Sequence, residues 1–168
     1  VKYICNNTIG LSIILSLIDG KFVSNYKYEE LIKHNYSEDF NIKISLPRRT
    51  LSLDNYWLAG FTQVNGCLRI NIVKSKTPKT GYIIRLEYFL KQNDDDLPLK
   101  LLYNHLKTGN IFQNNSGIWC YKVVGFKTAV NILNYFDKYN LFAGKYVNYI
   151  KFRKVYIMIS EGKHLEDK

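Results

Sequence analysis

Cysteine and histidine are both scarce in this chain, and each scarcity removes a class of function. The three cysteines, Cys5, Cys67 and Cys120, are odd in number and widely spaced, so neither a disulfide framework nor a zinc site is suggested and reduced, partly buried thiols are expected. His34, His105 and His164 stand far apart without metal-ligand spacing. They are expected as surface or helix-side residues rather than catalysts. No Gly-rich phosphate loop and no Ser/His/Asp nucleophile arrangement is present. The apolar run Gly10 to Phe22 (GLSIILSLIDGKF) is interrupted by Ser12, Ser16 and Asp19 and no small-residue cleavage site follows it. It therefore does not resemble a signal peptide, and it is too short to span a bilayer, so no membrane partner is expected. The run of acids Asp94 to Asp96 needs no metal to explain it, since acids are favoured at a helix N-terminus.

What is present in excess is positive charge. Twenty-four Lys and Arg face fourteen Asp and Glu, a net charge of +10, which implies an anionic partner, nucleic acid before membrane. The 46% hydrophobic content over 168 residues is enough for a real core, and no segment is of low complexity.

Periodicity organises the chain from about Leu53 onward. Asp54 is expected to cap a helix bearing the apolar residues Trp57, Leu58, Phe61 and Val64. Gly60 lies inside that helix at a cost of about 1 kcal/mol relative to Ala, which calls for a packing reason such as another helix close by. Gly66 ends it. Residues Cys67 to Ser75 then alternate as a half-buried strand with Leu68, Ile70 and Ile72 inward. After the turn KTPKTG (Lys76 to Gly81), a second strand from about Tyr82 to Gln92 has Ile84, Leu86, Tyr88 and Leu90 inward. A helix follows from the Asp94 to Asp96 acids and Pro98 to about Lys107. Short strands near Asn110 to Gln113 and Ile118 to Val124 flank the turn NNSG, and a helix from about Phe126 to Lys138 carries Ala129, Val130, Leu133 and Phe136. The order is αββαββα, an α+β unit with a twisted, four-stranded antiparallel sheet.

One face of that sheet is expected to be open. Its outward residues are Arg69, Asn71, Val73 and Ser75 on the first strand and Arg85, Glu87, Phe89 and Lys91 on the second, with Gln113, Cys120 and Lys122 beyond. Arg, Asn, Gln and Lys in this mixture can reach base edges in a groove while other lysines meet phosphate. Glu87 and Phe89 do not follow from charge. They are compatible with a cytosine contact and a thymine-methyl contact.

Residues Trp57 to Gly66, WLAGFTQVNG, resemble the LAGLIDADG motif of homing endonucleases and group I intron maturases. The tail from Asn134 to Leu165, with its KYxxY segment (Lys145 to Tyr149), is similar to the ending of organellar intron-encoded members, and the likeness covers roughly Leu53 to Leu165. It implies a sheet forming half of a nucleic-acid-binding saddle. It also implies that the motif helix packs through Ala59, Gly60 and Val64 against its twin in another repeat, and that the helix ends in a carboxylate binding a catalytic divalent metal, Mg2+. Here Asn65 stands at that place. An amide offers a carbonyl oxygen without the charge that hard cations prefer, so cleavage by this repeat is expected to be impaired and its metal weakened or absent. Gln92, at the end of the second strand, and Lys145, in the loop expected after the third helix, match polar residues that orient solvent around the cleavage site in that family.

The segment Gly10 to Phe22 resembles the closing helix of a first repeat. The division implied is residues 1–22 as the end of a preceding repeat, 23–52 as a linker and 53–168 as one complete repeat. The chain is then expected to be the C-terminal part of a double-motif protein that works with a first repeat of the same polypeptide, or self-associates if isolated. The expected partner is double-stranded DNA, bound site-specifically. The alternative is a maturase binding structured group I intron RNA by shape and backbone, and a third reading is a relic under no functional demand. Abundant Asn, Tyr, Ile and Lys, with Lys far exceeding Arg, look like translation from an AT-rich genome and suggest a mitochondrial, intron-encoded origin.

Overall fold

The computed structural model describes residues 4–47, 49–78, 80–93 and 95–165. They fall into two units, one of Val1–Leu51 with Asp94–Pro98 and one of Ser52–Asn93 with Leu99–Lys168. Asp94, expected among the helix-starting acids, and Lys79, in the expected turn, lie outside the described residues.

The first unit is helical. Helix α1, Thr8–Ile18, is capped by Asn7, whose side-chain oxygen accepts from the Gly10 amide at 2.6 Å, satisfying one of the donors a helix start leaves unpaired. Asp19 follows it and accepts from both the amide and the hydroxyl of Ser45, at 2.6 and 2.7 Å. The stretch expected as a plain linker holds two further helices, α2 (Asn25–Lys33) and α3 (Tyr36–Asp39). Asn35 separates them in a left-handed conformation, φ 52°, which Asn tolerates better than most residues because its short polar side chain bonds locally.

The second unit follows the expected order. Helix α4 (Trp57–Asn65) leads into strands β1 (Gly66–Lys74) and β2 (Tyr82–Gln92). Helix α5 (Leu97–Leu106), strands β3 (Asn110–Gln113) and β4 (Trp119–Val124), and helix α6 (Phe126–Lys138) come next. Helix α7 (Ala143–Ser160) and a short 3-10 turn, Lys163–Leu165, complete it. The four strands form one antiparallel sheet in the order β1-β2-β4-β3. Alternation along the strands gives the sheet two unlike faces. Leu86, Tyr88 and Leu90 of β2 and Tyr121 and Val123 of β4 are buried on one side, where the Tyr88 ring meets Phe136 of α6 edge-on at 5.9 Å. Ile132 and Phe136 of α6 and Tyr149 and Phe152 of α7 complete that core.

Three polar ties fix the helices on it. The Thr62 and Tyr88 hydroxyls lie 2.6 Å apart and join α4 to the sheet. Tyr149 donates to Asp137 at 2.5 Å, and the Arg153 guanidinium donates to the same carboxylate at 2.9 Å, locking α7 to α6. The third tie replaces an expected one. Asp54 does not cap α4; it pairs with Lys138 at 3.1 Å. The Asn55 side chain accepts from the Trp57 amide at 2.8 Å instead. The Tyr135 hydroxyl accepts from the Ala59 amide at 3.0 Å and donates to the Asn55 carbonyl at 2.7 Å.

Candidate nucleic-acid interface

The register of the sheet decides which side chains share its open face. From β1 and β2 it pairs Cys67 with Phe89, Arg69 with Glu87, Asn71 with Arg85 and Val73 with Ile83. From β4 and β3 it adds Cys120 and Lys122, opposite Lys91 and Phe89 on one side and Phe112 and Asn110 on the other. Arg69, Asn71, Arg85 and Lys91 are exposed, and Val73, Phe89 and Lys122 are half-buried. Four cations (Arg69, Arg85, Lys91, Lys122) therefore stand against one carboxylate on the face. That carboxylate, Glu87, is only 6% exposed and lies 3.2 Å from the Lys122 ammonium. Glu87 thus holds Lys122 in place, which accounts for an acid on a basic surface, since buried carboxylates are found paired.

Buried and paired, Glu87 is not the cytosine contact expected of it, and the structure corrects three further face residues. Cys120 has the right parity but is 0% exposed, flanked by Phe112 and Lys91 in the neighbouring strands, so it cannot touch a ligand. Gln113 pairs with Trp119, which places it on the parity of Tyr121 and Val123, the opposite face; its amide donates to the Gly117 carbonyl at 3.2 Å. Ser75 lies past the end of β1, where its amide donates to the Gly81 carbonyl and its hydroxyl accepts from Thr77, closing the turn. Among the face residues that escape the sequence reading are Asn110 and Phe112 of β3. They follow from counting back from the NNSG turn, whose Asn114 amide donates to Ile118 at 3.0 Å and so sets the register.

At one end of the sheet the motif helix meets β1. Gly66 makes that junction possible: a Cβ there would lie 2.7 Å from Thr62 Cγ2 and 2.8 Å from Leu90 Cδ2, closer than atoms tolerate. Asn65, the last residue of α4, is half-buried just before it. Lys145, expected in a loop, sits in the first turn of α7, and its ammonium donates to the carbonyl oxygens of Thr62, at 3.0 Å, and Gly66. Cations favour a helix C-terminus because the last carbonyls lack partners and carry the negative end of the dipole. Gln92, 7% exposed, lies two residues beyond Leu90, the strand partner of Gly66. A cavity of about 30 Å³ beside the junction is lined by Thr62, Cys67, Leu68, Leu141, Lys145 and Asn148, room for roughly one water.

These groups do not make a divalent-cation site by themselves. Among the described residues no three His, Cys, Asp or Glu side chains gather. The carbonyls flanking Asn65 already accept from an ammonium group, and Asn65 itself offers one neutral oxygen where Mg2+ is usually held by carboxylates.

The outer side of α4 is open. A Cβ on Gly60 would meet nothing within 4 Å, and Val64 is 81% exposed. Trp57 and Phe61, which share that side at helical spacing, stack on each other at 5.0 Å. Ala59 does not belong with them. It is fully buried in the unit's own core and is unavailable to a partner helix.

Comparison with known proteins agrees with this geometry. The model of the LAGLIDADG endonuclease family matches residues 58–156. A 37.2 kDa protein of cox1 intron 2 from Schizosaccharomyces pombe is 32% identical across 99% of the chain and 52% of its own length. A probable intron-encoded endonuclease of Neurospora crassa is 27% identical across 95% of the chain and 29% of its length. The chain thus spans about half, or less, of these relatives. The crystal structure of the LAGLIDADG meganuclease I-AabMI bound to uncleaved DNA superposes with a TM-score of 0.63 at 26% identity, over 79% of this chain and 47% of that one. With its motif helix, antiparallel sheet and helix-backed core all in family order, the chain belongs to the LAGLIDADG endonuclease family.

Proposed function

We propose that the chain is one half of an intron-encoded homing endonuclease-type protein and grips double-stranded DNA with the open face of its sheet. The carrying observation is the register that gathers Arg69, Arg85, Lys91 and Lys122 on one uncovered face. Exposed Asn71 and Asn110 stand among them. Phosphate contacts by such cations hold a protein in register on the duplex, while Arg and Asn side chains read base edges. The relative from S. pombe and the DNA-bound meganuclease are both about twice as long as the matched region. This supports a second half that completes the saddle and packs on Gly60 and Val64. The composition, rich in Lys, Asn, Ile and Tyr, supports mitochondrial coding.

Cleavage is a separate matter. Asn65 leaves this half without the acid that the family resemblance places at the helix end, so its share of phosphodiester hydrolysis is impaired. The test is Asn65→Asp in the chain joined to a competent first repeat. Metal-dependent cutting of an intron-insertion duplex should rise by orders of magnitude; a folded variant with no gain contradicts the impairment. Affinities for duplex DNA and for folded group I intron RNA, measured at matched salt, test the grip itself. Tighter binding of RNA under those conditions replaces the endonuclease reading with the maturase one.

A further inference from the structure

Resting on the DNA-binding reading, we infer that Phe89 and Phe112 form a notch that reads the C5 methyl group of thymine. Phe89 sits in β2, one of the two central strands, and Phe112, 40% exposed, lies on the same face in the edge strand β3. Their ring centroids are 6.4 Å apart and the planes are tilted by 54°, so the two rings meet at an angle and do not form a flat platform. The Arg69 guanidinium lies 5.5 Å from the Phe89 centroid and the Lys91 ammonium 5.9 Å from it. Those cations compete with a stacking base for the electron-rich face of Phe89. What remains is an apolar edge framed by positive charge. In the major groove only thymine presents an apolar group, beside the phosphates that the flanking cations would meet. The ring pair therefore favours a methyl-bearing duplex over RNA, whose uracil lacks that methyl.

The 168-residue chain offers a direct test. Duplexes are selected from a random pool by the wild-type chain, and each thymine of the selected sequence is then replaced singly by deoxyuridine. One or two positions should lose about three- to fivefold in affinity, the worth of one buried methyl. In Phe112→Ala the thymine and deoxyuridine duplexes should bind alike. The wild-type comparison needs no variant to fold. Deoxyuridine that costs nothing at any position, or a penalty that persists in Phe112→Ala, overturns the notch while leaving DNA binding intact. Failure of the wild-type chain to bind any duplex removes the DNA-binding reading as well.

Discussion

Lys145 closes the end of the motif helix by donating to the carbonyl oxygens of Thr62 and Gly66, on either side of Asn65. A side chain from α7 thus fixes the direction in which α4 delivers its last residue. Replacing Lys145 by Met keeps the stem and removes the donor. Hydrogen bonds involving a charged group contribute about 1.5–3 kcal/mol each, less where water can substitute. Lys145→Met is expected to lose roughly 1–3 kcal/mol in urea unfolding. Stability equal to wild type would mean that the junction does not depend on this contact.

The two glycines of the motif should respond in opposite directions. Gly60 has open space around it within this chain, so Gly60→Ala should stabilise the isolated chain by up to about 1 kcal/mol through helix propensity. Gly66→Ala places a methyl against Thr62 and Leu90 and should destabilise by roughly 1–3 kcal/mol, the usual cost of overpacking. Thermal unfolding of both variants measures the contrast. If Gly60→Ala destabilises the chain alone, the outer side of α4 is not free.

Stability should fall in alkaline solution. Burial pushes the Tyr88 hydroxyl well above the ordinary phenol range, against the opposing hydrogen bond from Thr62. Burial also raises Tyr121, and Tyr149 is raised by burial and then by the Asp137 carboxylate beside it. In the unfolded chain these phenols titrate near 10. Below that pH both states keep their protons and stability is unaffected. Above it the unfolded state releases protons that the folded state retains, so the folded state loses ground as pH rises toward its own higher pKa values. Tm is expected to be flat from pH 8 to about 9.5 and to drop beyond about 10. Tyr88→Phe should show a shallower drop, and an unchanged slope would contradict the assignment.

Local periodicity made most of the second unit legible. The alternation of Leu86, Tyr88 and Leu90 against Arg85 and Lys91 gave β2 its faces, and the stripe of Ala129, Leu133 and Phe136 gave α6 its packing side; in β1, by contrast, Ile70 and Ile72, expected inward, are 36% and 62% exposed. The misreadings share a cause: each residue's role depends on a partner distant in sequence. Asp54 is a good cap by type, yet Lys138, 84 residues on, claims it, while Tyr135 satisfies the helix start. Gln113 ends a strand of four residues, too short for alternation to reveal its face, and only pairing with Trp119 assigns it. Cys120 was placed on the correct face, but alternation does not report depth. Ala59 and Gly60 are neighbours in the motif, and α4 presents them to the core and to open space respectively. In the site, Asn65 and the cations of the open face could be named from sequence. The Glu87–Lys122 pair and Phe112 required the register.

The central claim, that nucleic acid is held on the open face of the sheet, is tested most directly by two double variants with the same change in net charge. Arg69→Ala with Arg85→Ala strips the sheet face, whereas Lys151→Ala with Lys154→Ala strips exposed positions of α7, which packs on the other side. With duplex DNA at fixed salt, the first pair should weaken binding by about 10- to 100-fold and lower the slope of log K against log salt by nearly 2. The second should change affinity by less than about threefold, as remote surface charges largely screened by salt do. Equal losses in the two variants, or a larger loss from the α7 pair, would contradict the account.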